Sequence, residues 1–403
     1  MTEFKDCYRL ASVVLIDRDG EVVGQLAPVK LSTPWFQEMS ELIALVKQRD
    51  NLDITILRLL TVDDSHLPEL LVSYLAELAS TSFDNKQLLP WRGQLDEHPL
   101  RLSYANPQGP AHDLQWAGEV LQDSGYGPVI EQQQIRTWNL SSIWRLSTAS
   151  DTFWLKAVPP FFAHESQVLQ LFADEKVPTL LATEQHRMLL QHLPGEDCYD
   201  ATFEQMLLMI GQLVDIQWRW HDRLEELFKT GMPDSRPKVL LNQISAVASQ
   251  YLHELAPQEQ TTLKAFLENL PERLVQLESC GIPDTLVHGD YHPGNWRGVD
   301  LDLAILDWGD CSVGHPLLDL PALIERAGEH EAVLMASWCE AWQAKIPDAD
   351  VKRAAELVKP IATARAATVY QRFLDNIEPS ERIYHDADPV FFLKKTAGLL
   401  FTV

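Results

Sequence analysis

The stretch His288–Gly309 reads HGDYHPGNWRGVDLDLAILDWG. Before it, Thr285, Leu286 and Val287 form a short apolar run of strand character, and Leu303 to Leu306 is a second one. The first run leads into Asp290 and the second ends directly at Asp307. Gly289 and Gly294 punctuate the segment and Pro293 stiffens it, so Asp290 to Asn295 is expected to form a tight loop with convergent side chains. Two carboxylates and a carboxamide, Asp290, Asn295 and Asp307, then gather at one point. Magnesium prefers near-octahedral oxygen ligation and keeps several waters, so one or two protein oxygens plus nucleotide phosphates complete its shell. Asn295 and Asp307 suit that task. Asp290, five residues before Asn295, suits the orienting of an attacking hydroxyl and acceptance of its proton.

Two other readings compete. An Asp after a Gly is most often a turn residue, and an isolated D-W-G carries no chemistry by itself. His288, Asp290 and His292 alternate at strand spacing, as zinc ligands on one face would. Gly289 and the pair Pro293-Gly294 interrupt such a strand, however, and no comparable His/Asp cluster follows. His288 and His292 are therefore read as hydrogen-bonded scaffolding for the loop. Taken together, the order H-G-D-x-H-x-x-N followed by D-x-G resembles the catalytic loop of the aminoglycoside phosphotransferase and choline kinase family, a branch of the protein-kinase-like fold. The resemblance implies that Asp290 is the catalytic base and that Asn295 and Asp307 are metal ligands, with Trp308 where protein kinases carry phenylalanine. Asp319, in GHPLLDLPAL, resembles the family's acid on the following helix and is expected to be structural, as an anion at a helix start or a partner of the loop. Asp310 is either a turn residue or a third acid near the metals.

A second half of such a site lies upstream. In Thr152 to Val158, Phe153, Leu155 and Ala157 face one way while Trp154, Lys156 and Val158 face the other. Lys156 is a cation among apolar neighbours, and such a group persists only when paired. The next helical stretch, Phe161 to Phe172, sets Glu165 inside an apolar stripe of Phe161, Phe162, Val168, Leu169 and Phe172. Lys156 and Glu165 match the strand-lysine and helix-glutamate couple that holds nucleotide phosphates in kinases; the bland alternative is a snorkelling lysine and a helix-start glutamate. Gln132 to Trp138 and Ile143 to Leu146 read as strands joined by Asn139, Leu140, Ser141 and Ser142. Protein kinases have a glycine-rich turn here. This one has no glycine, so Ser141 and Ser142, with their backbone N-H groups, are the expected phosphate cradle, and ATP and GTP both remain candidates. Met188 to Leu193, followed by Pro194-Gly195, resembles the hinge, with backbone at Leu190, Gln191 and Leu193 expected on the purine edge.

At 403 residues with 46% apolar composition, the chain is long enough for two or three domains. A formal charge of -25 argues against nucleic acid and anionic membranes as partners, because phosphate binding needs clustered Lys and Arg. The same acidity favours a cationic acceptor. Five scattered cysteines without a C-x-x-C pair fit reduced thiols in a cytoplasm. No apolar run reaches the ~18 residues of a membrane span, and no signal-type segment is evident at the N-terminus.

Composition divides the chain further. Residues 1–110 are expected as an N-terminal α/β accessory domain: strands at Arg9–Ile16 and Glu21–Leu26 around the hairpin signal Asp17-Arg18-Asp19-Gly20, a helix opened by Thr33-Pro34 with Trp35, Met39, Leu42 and Val46 on one face, and strands at Ile54–Leu60 and Leu70–Leu78. This order is similar to a Nudix fold whose helix lacks the metal-binding glutamates. The Pro/Gly-rich passage from Gln87 to Pro110 and the break at Gly125–Pro128 bracket a linker, 111–130. Residues 131–193 are expected as a small sheet lobe with hinge and 194–403 as a large helical lobe, with helices near 201–230, 239–255, 258–278, 316–345 and 348–377. The whole is an α+β, bilobal kinase-like fold behind an accessory domain. The function expected from the resemblance is ATP- and Mg-dependent phosphotransfer to a hydroxyl of a small molecule, favouring an amino sugar, aminoglycoside or other cationic alcohol. The rival is a pseudokinase-like binding or regulatory module. Retention of Lys156, Glu165, Asp290, Asn295 and Asp307 together argues for the enzyme.

Overall fold

The computed structural model describes residues 7–79 and 88–401; Gln87, where the loop-rich passage was expected to begin, lies outside them. The chain divides into two compact units, one drawn from Met1–Ala163, Leu180–His192 and Asn376–Tyr384, the other from His164–Thr179, Leu193–Asp375 and His385–Val403.

The first unit holds two sheets. Strands β1 (Tyr8–Ile16), β2 (Val22–Leu31), β3 (Ile54–His66) and β4 (Glu69–Leu78) form a sheet of order β2-β1-β4-β3, in which β1 and β4 run parallel. Helix α1 (Ser40–Asp50) lies between β2 and β3 in sequence, which gives the expected order of strand, strand, helix, strand, strand. Met39, Leu42 and Val46 join Val13, Leu26 and Tyr74 in its core. The helix begins at Ser40 and not at Thr33-Pro34, and the reason is Arg9. This fully buried guanidinium takes the Thr33 carbonyl at 2.8 Å, the Glu38 carbonyl at 3.1 Å and Tyr74 Oη at 2.7 Å. A buried cation must have its donors engaged, and here it draws 33–38 into a non-helical wrap.

Strands β5 (Glu131–Trp138), β6 (Ser141–Ser147), β7 (Thr152–Ala157), β8 (Leu180–Glu184) and β9 (Arg187–Gln191) form an antiparallel sheet of order β5-β6-β7-β9-β8. Helix α2 (Gly109–Asp123) occupies much of the stretch expected as a linker. Its Ala117 and Leu121 are buried with Trp144, Leu146, Phe153, Leu155 and Leu189, so it completes the core of this sheet. The two sheets are joined at β5. The Gln134 carboxamide accepts from Ile56 N at 2.9 Å and donates to Ile56 O at 2.7 Å, serving the edge strand β3 as a neighbouring backbone would.

A 3-10 helix, Pro379–Tyr384, closes this unit. Glu381 on it is buried and accepts from Leu59 N at 3.1 Å, with the backbone N-H of Asn139, at the β5–β6 turn, also favouring its charged form. Burial pushes its carboxyl up to about 8; the Glu378 charge adds to this, while the Leu59 and Asn139 N-H groups and Arg58 oppose it. Between pH 4.5 and 8 the folded state then holds a proton that the unfolded chain has lost, so this group costs stability as pH rises through that window. Glu381→Gln removes the titration. The stability of the variant relative to wild type should rise from pH 5 to pH 8 with a slope of at most about 1.4 kcal/mol per pH unit, the limit for one proton. Parallel denaturation curves across that range would show that Glu381 stays ionised.

The second unit is mainly helical, with α3 (His164–Leu171), α4 (Phe203–Trp220), α5 (Leu224–Lys229), α6 (Pro237–Tyr251), α7 (Pro257–Ser279), α8 (Leu320–Ile324), α9 (Glu331–Lys345), α10 (Val351–Leu374) and α11 (Asp388–Phe401). Two small sheets are set among them. One has order β10-β12-β13, from Glu196–Asp197, Trp296–Val299 and Asp302–Ile305; the other pairs β11 (Thr285–Val287) with β14 (Ser312–Gly314). Trp296, Trp308, Trp338 and Trp342 are fully buried. Among the described residues, no helix is long and apolar enough to cross a membrane, and all five cysteines are free thiols.

Candidate active site

Strand β11 delivers the chain to His288, where an acid from a distant segment fixes it. Asp319 is buried and accepts from His288 N and Gly289 N, both at 2.8 Å, and from Gln217 Nε2 at 3.0 Å. It acts as the partner of the loop, one of its two expected roles; burial raises its carboxyl above the usual range. Gly289 has φ +93°, and a Cβ there would sit 2.1 Å from the Asp310 carbonyl oxygen, so the close approach of the two segments requires glycine. His288 is buried, donates from Nε2 to Leu306 O at 2.9 Å and packs on Trp308 with ring centroids 4.7 Å apart. His292 Nδ1 accepts from Gly294 N at 3.0 Å, and its Nε2 lies 3.4 Å from Asp290 Oδ2. The two histidines thus serve the loop by different contacts, and no group of three or more His, Cys, Asp or Glu among the described residues is arranged to hold a metal.

Asn295 donates from Nδ2 to Asp290 O at 2.8 Å and to Asp290 Oδ2 at 3.1 Å. Its backbone oxygen accepts from Leu306 N at 2.8 Å, one step beyond the β12–β13 register pair Trp296 and Ile305. The hairpin therefore sets Asp307 beside Asn295. Asp307 is exposed and held at φ 59°, ψ 69°, a left-handed conformation that Asp and Asn tolerate better than most residues. Asn295 Oδ1 has no hydrogen-bond donor among the described residues, and Asp307, one residue beyond the backbone bond to Asn295, exposes a carboxylate. This all-oxygen donor set fits a hard divalent cation.

The electrostatics separate the acids. Burial pushes the Asp290 carboxyl up, but the His292 hydrogen bond, attraction from His292 and His288, and the Asn295 N-H outweigh it and bring it down to about 2. Its side chain remains half exposed. Asp310 goes the other way, to about 7, because burial dominates and Asp290 and Asp307 repel its charge, despite the Arg372 guanidinium 2.9 Å away. Asp310 is thus an ion-paired third acid near the other two.

The remaining expected residues lie on both units. In the first, Lys156 is half-buried on β7 in register with Ile143 and Met188. Ser141 and Ser142 lie within β6 and not in the turn, which is only Asn139-Leu140. Both are buried, with Trp138 Nε1 donating to Ser141 Oγ at 3.1 Å and Trp144 Nε1 to Ser142 Oγ at 3.2 Å. Each hydroxyl thus accepts from an indole and keeps its own O-H as a donor. Leu190 and Gln191 end β9, paired with Trp154 and Phe153. In the second unit, Glu165 is buried in the first turn of α3, and the Leu193 carbonyl accepts from Arg297 Nε at 2.9 Å. Arg297, Gln217, Arg365 and Arg372 were not singled out in the sequence. Only the last two left a trace there, a spacing of seven that places both on one face of α10.

Residues 131–367 match the family model described as "Phosphotransferase enzyme family", and the chain belongs to that family. A comparison with curated proteins found no match. Among solved structures it is similar to a putative aminoglycoside phosphotransferase from Ralstonia eutropha, at 15% identity and TM-score 0.50, over 72% of this chain and 98% of the other. It is likewise similar to the GDP complex of an aminoglycoside 2'-phosphotransferase-IIIa mutant, at 14% identity and TM-score 0.51 over 72% and 98%. The macrolide 2'-phosphotransferase from Brachybacterium faecium aligns at 16% identity and TM-score 0.49 over 69% and 97%. By the family match and the first two of these structures the fold is the kinase-like one, with a sheet lobe and a helical lobe, and the chain is a phosphotransferase enzyme.

Proposed function

We propose that this enzyme transfers the γ-phosphoryl group of ATP, bound with magnesium, to a hydroxyl of a small molecule. The observation that supports the reading most is the pairing of Leu306 N with the Asn295 carbonyl, which brings the chain leading into Asp307 back to Asn295, whose amide in turn holds Asp290. Asp290 is held as a carboxylate throughout the neutral range. It orients the acceptor hydroxyl and takes its proton as the oxygen bonds to the γ-phosphorus and the bond to the ADP oxygen breaks. Asn295 Oδ1 and the Asp307 carboxylate would hold magnesium, which supplies charge neutralisation on the phosphates. Lys156 and Glu165 are assigned to phosphate positioning, and the backbone of Leu190 and Gln191 to the purine edge. Leu193, whose carbonyl accepts one hydrogen bond from Arg297 and keeps a second lone pair, is assigned there with them. Five free thiols fit a reducing compartment such as the cytoplasm.

Magnesium-ATP is expected to raise the melting temperature by several degrees at saturating concentration, because ligand that binds only the folded state stabilises it by mass action. ATP with a chelator should shift it far less. Equal shifts under both conditions would remove Asn295 and Asp307 from the metal role.

A further inference from the structure

A cavity of about 320 Å³ in the second unit runs between α6, α10 and the segments around Asp234 and Asp310. It borders the reacting centre: Asp310 lines it, and the Asp310 backbone packs so tightly on Gly289 that no side chain fits between them, one residue before Asp290. If the phosphotransfer reading holds, this is the place for the acceptor. Its size lies near the lower end of the ~300–1,000 Å³ typical of ligand pockets, so it suits a small molecule better than a multi-ring antibiotic.

The wall has an unexpected charge pattern. Although the chain carries 58 acids against 33 Lys and Arg, the cavity is lined by three aspartates and two arginines. Asp310 is paired with Arg372 at 2.9 Å, Asp234 with Arg236 at 2.8 Å, and Asp375 accepts from Gln371 Nε2 at 2.7 Å. Arg365 is buried, and its one hydrogen bond among the described residues goes to Ser312 Oγ at 3.2 Å. Arg365 also lines the cavity, its other N-H donors have no acceptor among the described residues, and a buried guanidinium needs acceptors for them. A polycation entering here would meet two arginines, two carboxylates already paired with arginine and only one, Asp375, that is not. A polyanion would meet three carboxylates. Among the described residues no aromatic ring lines the cavity, so they build no cage of the kind that holds quaternary ammonium groups. The carboxamides of Gln243 and Gln250 and the Thr368 hydroxyl also line it, and each can both donate to and accept from a hydroxyl.

We infer that this cavity takes a small, uncharged polyhydroxylated acceptor, a sugar or polyol whose hydroxyl oxygens accept from Arg365, and rejects polycationic amino sugars and choline-like alcohols. The inference rests on the phosphotransfer reading and narrows its acceptor. It also revises the cationic expectation, because the net charge of the chain is not the charge of this wall.

The test uses the full chain with magnesium-ATP and three probe sets at equal concentration: uncharged mono- and disaccharides with polyols, kanamycin with glucosamine, and choline. ADP formation and melting temperature are read for each. An uncharged member is expected to raise ADP formation by about tenfold or more and to raise the melting temperature, the scale of a site built to hydrogen-bond its substrate. Arg365→Gln should remove both responses. Since that buried variant can fail to fold, Ala246→Trp, an exposed lining position, is the second: it should block the response to sugars yet keep the magnesium-ATP shift. Stimulation by kanamycin, glucosamine or choline alone overturns the acceptor class and leaves phosphotransfer standing. A sugar that stabilises the protein through the cavity without ADP formation upholds the cavity and sinks the phosphotransfer reading. Absence of binding by every uncharged probe, or a sugar response untouched by Ala246→Trp, overturns the assignment of the cavity.

Discussion

Asp290→Asn is expected to lower turnover by about 100-fold or more, the scale of a positioned general base, while magnesium-nucleotide affinity stays near that of wild type. The substitution keeps the size of the side chain and its reach to Asn295 Nδ2, 3.1 Å from the carboxylate now. It removes the negative charge that faces His292 and the ability to take a proton. The Asp290 carboxyl sits at about 2, so the wild-type group is ionised throughout the neutral range and its own titration leaves no inflection in a pH-rate profile above pH 5. Steady-state kinetics on any responsive acceptor, with kcat separated from nucleotide KM, checks this. A large rise in KM with kcat preserved would assign Asp290 to nucleotide binding.

The second large effect lies away from the reacting atoms. Asp319→Ala leaves His288 N, Gly289 N and Gln217 Nε2 without their acceptor in a buried place. Breaking a buried charged network of this kind costs about 3–5 kcal/mol, and each orphaned donor carries its own desolvation penalty. Chemical denaturation should show a loss of that size, with loss of turnover even where the protein remains folded, because the chain before Asp290 has lost its anchor. Asp319→Asn keeps one acceptor oxygen and should cost clearly less. A variant with alanine at 319 that is as stable as wild type would mean that water replaces the carboxylate at no cost.

The features legible in the sequence are those encoded by neighbours. The loop from His288 to Asn295 and the hairpin to Asp307 are local, and their glycines and apolar runs state the geometry. The β1–β4 strands and the helical segments of the second unit follow periodicity in the same way. What was missed depends on distant partners. Arg9 holds the chain at 33–38 out of the helix that Thr33-Pro34 appeared to open, through contacts to residues 24 to 65 positions away. Helix α2 was hidden because its boundary residues, Pro110 near its start and Gly125 after its end, are also loop formers; both are in fact placed as helix punctuation. Ser141 and Ser142 have turn-forming character in the sequence, and nothing local marks the two-residue turn at Asn139-Leu140 that leaves them in β6. The Arg365 and Arg372 wall of the cavity exists only once α10 meets the segment around Asp310, and that meeting has no local signature.

The most direct test of the account compares Asp290→Asn with Asp307→Asn by calorimetric titration with magnesium and a non-hydrolysable ATP analogue. Asn tolerates the left-handed conformation at 307, so both variants should fold and the comparison isolates charge. Asp290→Asn is expected to keep near-normal, magnesium-dependent binding. Asp307→Asn is expected to weaken affinity by about tenfold or more, through loss of one anionic ligand to a hard cation. Loss of binding in Asp290→Asn with retention in Asp307→Asn would contradict the assigned roles, and full binding with normal turnover in both would place the active site elsewhere.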